Sequence, residues 1–173
     1  GEQSIKYGPT SQNVNSVKVV RSDGNEYEFG PLTRKQVAAK KQQSNYEGEI
    51  YRRVVKLIDD NKFTIATHHP RTVKNAAGYQ LWDLWDTHQQ TFNLGRLFIG
   101  SQGTLGIITE AELKLVKPGT SRRMIVTPIT ELGSLAEVVK TTLRYEPITC
   151  ETFDHFTYEL AEKYYPEGAS RAP

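Results

Sequence analysis

The residues best suited to bind a ligand form a glycine-punctuated run at 100 to 109, Gly-Ser-Gln-Gly-Thr-Leu-Gly-Ile-Ile-Thr. Glycines in such a run let the backbone approach a ligand or a neighbouring strand closely. The run precedes a predicted strand and matches neither the dinucleotide-binding pattern nor the Walker pattern. Its amides therefore have no helix dipole to use. A ligand here would be held by local backbone hydrogen bonds and close approach.

No other stretch predicts a catalytic or metal centre. His68-His69-Pro70 is predicted to be a solvated loop, because neighbouring positions point in different directions and seldom share one metal ion. The single cysteine, Cys150, excludes an intrachain disulfide and is expected to be a small buried side chain. No hydrolase nucleophile motif is present in the sequence. Catalytic residues cannot be named from the sequence, and no metal site is predicted.

Length and charge narrow the class of protein. The 173 residues suffice for one core or somewhat more, and 24% of them are charged, as in ordinary globular proteins. A net charge of +2 without a basic cluster argues against nucleic-acid binding. No apolar run predicts a membrane span or signal peptide. The chain starts at Gly1 without a methionine and ends at Pro173 without a closing element, so it is expected to be an internal piece of a longer protein.

The first part of the chain predicts a hairpin and then helices. Residues 17–20 and 27–29 have strand character and flank Asp23-Gly24, a strong hairpin signal. Residues 33–43 are mostly polar and are compatible with a helix. A capping-box spacing predicts that a second helix starts at Ser44, and this helix carries an apolar stripe on one face. The stripe consists of Ile50, Val54, Leu57 and Ile58.

Between the helices and the glycine run, residues 81–85 predict a short helical turn with aromatic packing, and residues 86–93 a polar loop. After the run, Ala111, Leu113 and Leu115 alternate with polar residues. This period of two predicts a strand with one buried and one wet face.

A second pattern starts after a boundary placed near Pro118. Residues 124–126 and 148–153 predict strands, and residues 131–145 and 156–164 predict helices, the last with Leu160 and Ala161 turned inward. A strand–helix–strand–helix order after a Pro-Gly break is typical of the opening of a second α+β domain.

Three segments in order resemble one protein family. Gly-Ser-Gln-Gly-Thr-Leu-Gly-Ile-Ile-Thr-Glu-Ala at 100–111, Gly-Glu-Gln-Ser-Ile-Lys-Tyr-Gly at 1–8 and Lys-Asn-Ala-Ala-Gly-Tyr-Gln-Leu at 74–81 are similar to segments of FAD-linked oxidases of the vanillyl-alcohol oxidase type. That family includes glycolate oxidase, D-lactate dehydrogenase and D-2-hydroxyglutarate dehydrogenase. The resemblance covers residues 1–118 well and the rest more loosely.

The resemblance implies an α+β fold with an antiparallel sheet and flanking helices. Residues 1–118 would be the C-terminal part, or second half, of a PCMH-type FAD-binding domain. Residues 119–173 would begin a substrate or cap domain. The parent would oxidise a D-2-hydroxy acid by hydride transfer to N5 of FAD.

The resemblance also implies site residues. Those beside the flavin or its pyrophosphate would be Gly1, Ser4 and Gly8. Those whose backbone contacts the adenosine half of FAD would be Gly103, Thr104, Gly106, Ile107 and Ile108. Those near the isoalloxazine would be Lys74, as a cation or in a surface ion pair, and Tyr79.

Further expectations concern regions and partners beyond the chain. The family's N-terminal phosphate loop is absent from this sequence, and Gln102 stands where the family usually has Glu. Larger members carry a C-terminal iron–sulfur module. The resemblance further implies a small 2-hydroxy acid substrate, an electron-acceptor protein or quinone, an oligomer, and a cytoplasmic location or one peripheral to the inner membrane.

An alternative function stays open. The segment could be a non-catalytic scaffold or interaction module that kept the fold and lost FAD binding, which the Gln102 departure favours. The isolated segment is expected to be inactive in either case.

Overall fold

The computed structural model describes residues 3–72, 75, 77–117 and 119–169. The chain divides into two compact units. The first is Gly8–Val116, and the second combines Lys117–Pro173 with Gly1–Tyr7. The predicted boundary residue Pro118 lies outside the described residues, so the assignment of 1–118 and 119–173 to domains of a parent stays a prediction.

The first sheet of the Gly8–Val116 unit confirms the predicted hairpin. Strand β1 (Val14–Val20) pairs antiparallel with β2 (Glu26–Phe29). Gly24 lies in the connecting turn with φ of +80°, a conformation that favours glycine. Strand β6 (Ile107–Leu113) pairs antiparallel with the other edge of β1, so β1 is the central strand.

A second small sheet corrects the prediction for residues 86–93. Strand β5 (Thr91–Asn93) lies between β3 (Pro31–Thr33) and β4 (Trp85–Asp86), and both pairings are antiparallel. Phe92 is fully buried and contacts the rings of Tyr51 and Trp85. The sequence of this segment predicts a polar loop, because a strand of three residues is too short to show an alternation of apolar and polar residues.

Three helices of the same unit follow the hairpin. They are α2 (Arg34–Gln42), α3 (Tyr46–Asp60) and α4 (Lys62–Thr67). The helix predicted to start at Ser44 begins at Tyr46 instead, with Asn45 as the capping residue that accepts a hydrogen bond from the Gly48 amide.

The apolar stripe of α3 also needs correction. Tyr51, Val55 and Ile58 are buried, whereas Leu57 is exposed. Ile50 and Val54 are only partly buried at the border of the core. The buried face is rotated because the aromatic ring of Tyr51 fills space beside Phe29 and Phe92, which a stripe of aliphatic residues does not reveal.

The core of this unit lies between the first sheet, α3 and the segment before the glycine run. Val17 and Val19 of β1 point into it, and the Phe29 and Phe98 rings stack with centroids 4.8 Å apart. Its buried hydrophobic members are Val17, Val19, Phe29, Val37, Tyr51, Val55, Ile58, Leu84, Phe92, Leu94, Leu97 and Phe98.

Strand β6 forms as predicted, but the expected buried face is wrong. All seven of its residues are exposed, including Ile107 and Leu113. Its side chains lie at the edge of a three-stranded sheet, where the described residues do not cover either face.

The second unit contains helices α1 (Ser4–Tyr7), α5 (Leu135–Leu143), α6 (His155–Tyr164) and α7 (Pro166–Ala169). The helix predicted at 131–145 is confirmed in shortened form as α5, and the helix predicted at 156–164 is confirmed as α6, which starts one residue earlier. The strands predicted at 124–126 and 148–153 are not formed, and Leu160 and Ala161 are exposed rather than inward. A strand needs a neighbouring strand for its backbone hydrogen bonds, whereas a helix satisfies its own.

The α+β class with antiparallel sheets and helices is thus confirmed. The finer assignment to a PCMH-type FAD-binding domain stays a prediction.

Replacement of Phe92 by alanine tests the buried role of β5. We expect Phe92→Ala to lower the free energy of unfolding by about 3–5 kcal/mol, because it removes a buried ring and leaves a cavity. Chemical denaturation measures the change. Phe63→Ala is the control, since Phe63 is 81% exposed and its loss should change stability by less than about 0.5 kcal/mol. Equal effects of the two substitutions would contradict the placement of Phe92.

Candidate functional site

The glycine run forms a tight turn that is stabilised by hydrogen bonds between its own residues. It follows a 3-10 helix at Leu94–Leu97 and leads into β6. The Ser101 amide donates to the Phe98 carbonyl at 3.1 Å, and the Thr104 amide donates to the Ser101 carbonyl at 3.1 Å. The Thr104 hydroxyl donates to the same Ser101 carbonyl at 2.6 Å. Two donors on one carbonyl fix the turn between 101 and 104.

The outer side of this turn is open. Gly100 and Gly103 have φ of +84° and +79°, and no atom lies within 4 Å of the position that a Cβ would take at either residue. Gln102 also has a positive φ, of 55°, which is uncommon for a residue with a side chain. Glycine is needed at 103 for its backbone angle, and the space beside it remains free for a ligand.

Gly106 is required for a different reason. A Cβ there would lie 2.6 Å from Val19 Cγ1 and 2.8 Å from the Val20 carbonyl oxygen. These distances are too short for real contacts, so only glycine lets the run pass against β1. The structure therefore gives Gly106 a packing role, and its predicted contact with a ligand stays a prediction.

Tyr79 joins the turn to a second loop. Its hydroxyl lies 2.6 Å from Thr104 Oγ1. Because Thr104 donates its only hydroxyl proton to the Ser101 carbonyl, it accepts the hydrogen bond from Tyr79. Two segments singled out in the sequence, around 79 and around 104, thus lie side by side.

The loop before Tyr79 contains a polar group that sequence reasoning did not select. Asn75 Oδ1 accepts from the Ala77 amide at 3.3 Å, and the Asn75 carbonyl accepts from Gln80 Nε2 at 3.2 Å. Asn75 Nδ2 is buried and has no hydrogen-bond partner among the described residues. An unpartnered buried donor is costly and suits an acceptor supplied by a ligand. The position of Asn75 at the start of the Asn-Ala-Ala-Gly-Tyr stretch was its available signal.

The start of β6 borders the open turn. Ile107 is 70% exposed and Ile108 is 43% exposed, so neither serves the core of this unit. β6 pairs with β1 on one side only, and its outward backbone groups face no strand of the described chain. Those groups can donate to and accept from a bound molecule.

The remaining predicted residues do not join this site by any contact that the structure shows. Ser4 is buried in α1 with its hydroxyl unpartnered. Gly8 has φ of +75°, and a Cβ there would overlap the side chain of Gln12, a local reason for glycine. Gly1 and Lys74 lie outside the described residues.

The described residues contain neither a cluster of metal ligands nor a helix that could span a membrane. There, His, Cys, Asp and Glu side chains do not gather in groups of three or more that could hold a metal ion. His69 instead packs against Trp82 with tilted rings whose centroids are 5.1 Å apart. Among the same residues, every helix is too short or too polar to cross a membrane.

Comparison with known proteins gives relatives by sequence. The chain is 26% identical over 163 residues to D-2-hydroxyglutarate dehydrogenase of Pantoea ananatis and 26% identical over 163 residues to that of Escherichia coli. Each match covers 94% of this chain and 16% of the relative. The glycolate oxidase subunit GlcD of Bacillus subtilis is 35% identical over 75 residues, which are 42% of this chain and 16% of that relative.

These relatives confirm the resemblance drawn from the three segments. The chain spans about one sixth of the length of the curated relatives it matches. No protein-family profile matches the chain, and neither does any solved structure.

Removal of the Tyr79 hydroxyl tests whether the two loops hold each other. We expect Tyr79→Phe to speed amide hydrogen exchange at 103–106 by roughly fivefold, the effect of losing about 1 kcal/mol of one hydrogen bond. Exchange of the β1 and β2 amides should not change. Tyr145→Phe is the control, because Tyr145 is 82% exposed and lies in the second unit. Unchanged exchange at 103–106 in Tyr79→Phe would show that the turn stands without this bond.

Proposed function

We propose that this chain is a segment of an FAD-linked oxidoreductase that oxidises a D-2-hydroxy acid, and that its glycine turn and β6 hold the adenosine half of FAD. The names of the relatives support the reaction class, because D-2-hydroxyglutarate and glycolate are both 2-hydroxy acids. The chain covers only a small share of those relatives, so the activity belongs to the whole parent.

The observation that carries the proposal is the hydrogen bond between Tyr79 and Thr104. The two residues are 25 positions apart, in two segments that each resemble the same family. Their contact joins the segments into one surface, as a shared ligand requires.

The residues around this surface fit a dinucleotide. The open space at Gly103 admits close approach of a ribose or an adenine edge. The outward backbone groups at Ile107 and Ile108 offer hydrogen-bond donors and acceptors to the same edge. Asn75 Nδ2 is a buried donor to which no other described residue offers an acceptor, and it would satisfy an acceptor of the cofactor.

The reaction would draw its redox chemistry from the bound group, with the substrate hydride passing to flavin N5. The contribution of this chain is to bind and orient. Thr104 and Tyr79 hold the turn in place, and Gly106 holds it against β1. The same proposal places the Lys74 ammonium near the isoalloxazine. It also places Gly1, Ser4 and Gly8 beside the flavin or its pyrophosphate. Groups that touch the substrate would lie elsewhere in the parent.

Other features of the parent rest on the resemblance alone. They are an electron-acceptor protein or quinone, an oligomeric state and a cytoplasmic location or one at the inner membrane. The relatives' names say nothing of an iron–sulfur cluster, and that module stays a prediction for a region beyond this chain.

A pair of glycine substitutions tests the binding role of the turn. In the full-length protein that contains this chain, we expect Gly103→Leu to lower the bound FAD per protein at least tenfold, because the new side chain fills the space offered to the cofactor. Visible flavin absorbance measures the content.

Gly24→Leu is the matched control. Gly24 has φ of +80° against +79° for Gly103, and both face open space. The two positions therefore share the backbone angle φ that disfavours a side chain and the open space around it, and they differ in location. Equal flavin loss in the two variants would refute the proposed location. A full-length wild-type protein without flavin would instead favour the scaffold alternative.

A separate prediction concerns the chain of 173 residues by itself. We expect it to purify without a stoichiometric flavin and without dehydrogenase activity, because the described residues surround only one side of the proposed site. The absorbance spectrum of the purified chain measures this. A stoichiometrically yellow chain would contradict the expectation.

A further inference from the structure

A second concave site lies on the Gly8–Val116 unit, between the β1–β2 turn and α3. It is a cleft of about 200 Å³. Its lining residues are Arg21, Tyr46, Glu49, Ile50, Arg53 and Val54. Neither the resemblance nor the comparisons assign a role to it.

Arg21 at one end of the cleft is fixed in place. Its carbonyl accepts from the Gly24 amide at 2.9 Å, and its amide donates to the Asn25 carbonyl at 3.0 Å, so its backbone belongs to the rigid turn. Its guanidinium carbon lies 5.4 Å from the centroid of the Phe98 ring, a cation–π distance. Because hydrogen bonds hold its backbone and the Phe98 ring supports its guanidinium, the Arg21 side chain is preorganised to bind a ligand.

The charge of Arg21 has no partner within the described part of the chain. Its Nε is buried without a hydrogen-bond partner, and the described ion pairs do not include Arg21. A half-buried guanidinium with an unmade hydrogen bond gains from an anionic acceptor.

The nearby acids are engaged elsewhere. Asp23 accepts from Asn25 Nδ2 and from the Tyr27 hydroxyl. Partial desolvation raises the pKa of Asp23, but hydrogen bonds from Asn25 and Tyr27 outweigh this and lower it overall. Glu49 pairs with Arg53 at 2.6 Å. Both carboxylates are therefore already bound to other donors.

The rest of the cleft is suited to an amphipathic ligand. Ile50 and Val54 supply an apolar wall one helical turn apart on α3. The Tyr46 hydroxyl lies 3.1 Å from Ser22 Oγ, so a polar pair stands at the rim. We propose that this cleft binds a short-chain carboxylate, with the carboxylate on the Arg21 guanidinium and the alkyl chain along Ile50 and Val54.

The volume limits the ligand. A cleft of 200 Å³ takes on the order of six water-sized groups at roughly 30 Å³ each, which is the size of butyrate. It is smaller than the usual 300–1,000 Å³ or so of sites for larger organic ligands. Arg21 borders the glycine turn, because a Cβ at Gly106 would lie 3.5 Å from Arg21 Cδ, whereas five of the six residues that line the cleft belong to α3. The test below uses no flavin.

Titration of the isotopically labelled chain with butyrate tests the proposal. We expect saturable binding with a dissociation constant on the order of 1 mM. The Arg21 Nε–H resonance and the amides of residues 46–54 should shift together. Butyramide has the same shape without the charge, and we expect it to bind at least tenfold more weakly.

Two charge-removing variants locate the effect. Arg21→Gln should weaken butyrate binding at least tenfold. Lys56→Gln removes an equal charge from α3, outside the lining of the cleft, and should leave binding unchanged. If Arg21→Gln does not fold, the comparison of butyrate with butyramide in the wild-type chain, read at the Arg21 Nε–H resonance, decides the matter.

Three results would overturn the proposal. The first is equal binding of butyrate and butyramide, and the second is an equal loss of butyrate binding in the two variants. The third is a shift of resonances at many Lys and Arg residues that does not saturate below about 10 mM butyrate. None of these outcomes bears on the flavin surface, which the Gly103 substitution tests independently.

Discussion

The antiparallel pairing of β1 with β6 joins parts of the chain that are about 90 residues apart. β1 is the central strand, and its Val17 and Val19 side chains are buried against the core while its two edges bind β2 and β6. Gly106 permits this pairing, because any side chain there would overlap Val19 and the Val20 carbonyl. Closing so long a loop costs chain entropy, which the burial of the β1 valines and of Phe29 helps to offset.

The candidate site is a consequence of that pairing. When β6 pairs with β1, the turn before β6 is stabilised by two hydrogen bonds. The Ser101 amide donates to the Phe98 carbonyl, and the Tyr79 hydroxyl donates to the Thr104 hydroxyl. Its glycines at 100 and 103 then face outward from a supported backbone. A loop that is fixed on its inner side and open on its outer side loses little further freedom when it binds a ligand.

The second unit shows the opposite situation. Its helices α5 and α6 form because their hydrogen bonds are internal, but Leu132, Phe156 and Leu160 are exposed. The residues that alternate like strands at 124–126 do not pair within the described chain. Local pattern is thus sufficient for a helix and insufficient for a strand, which requires a neighbour to supply hydrogen bonds and a face to bury.

The sequence by itself determined the Asp-Gly hairpin, the existence of α2 and α3 and the strand after the glycine run, because these depend on turn chemistry and periodicity along the chain. The likeness to FAD-linked oxidases came separately, from the three segments that resemble that family. Tertiary structure alone decided the buried face of α3, the burial of Phe92 and the exposure of β6. It also decided that Tyr79 contacts Thr104 and that Arg21 forms no ion pair with any other described residue. These features depend on which residues approach each other across long separations, and a local pattern carries no information about such contacts.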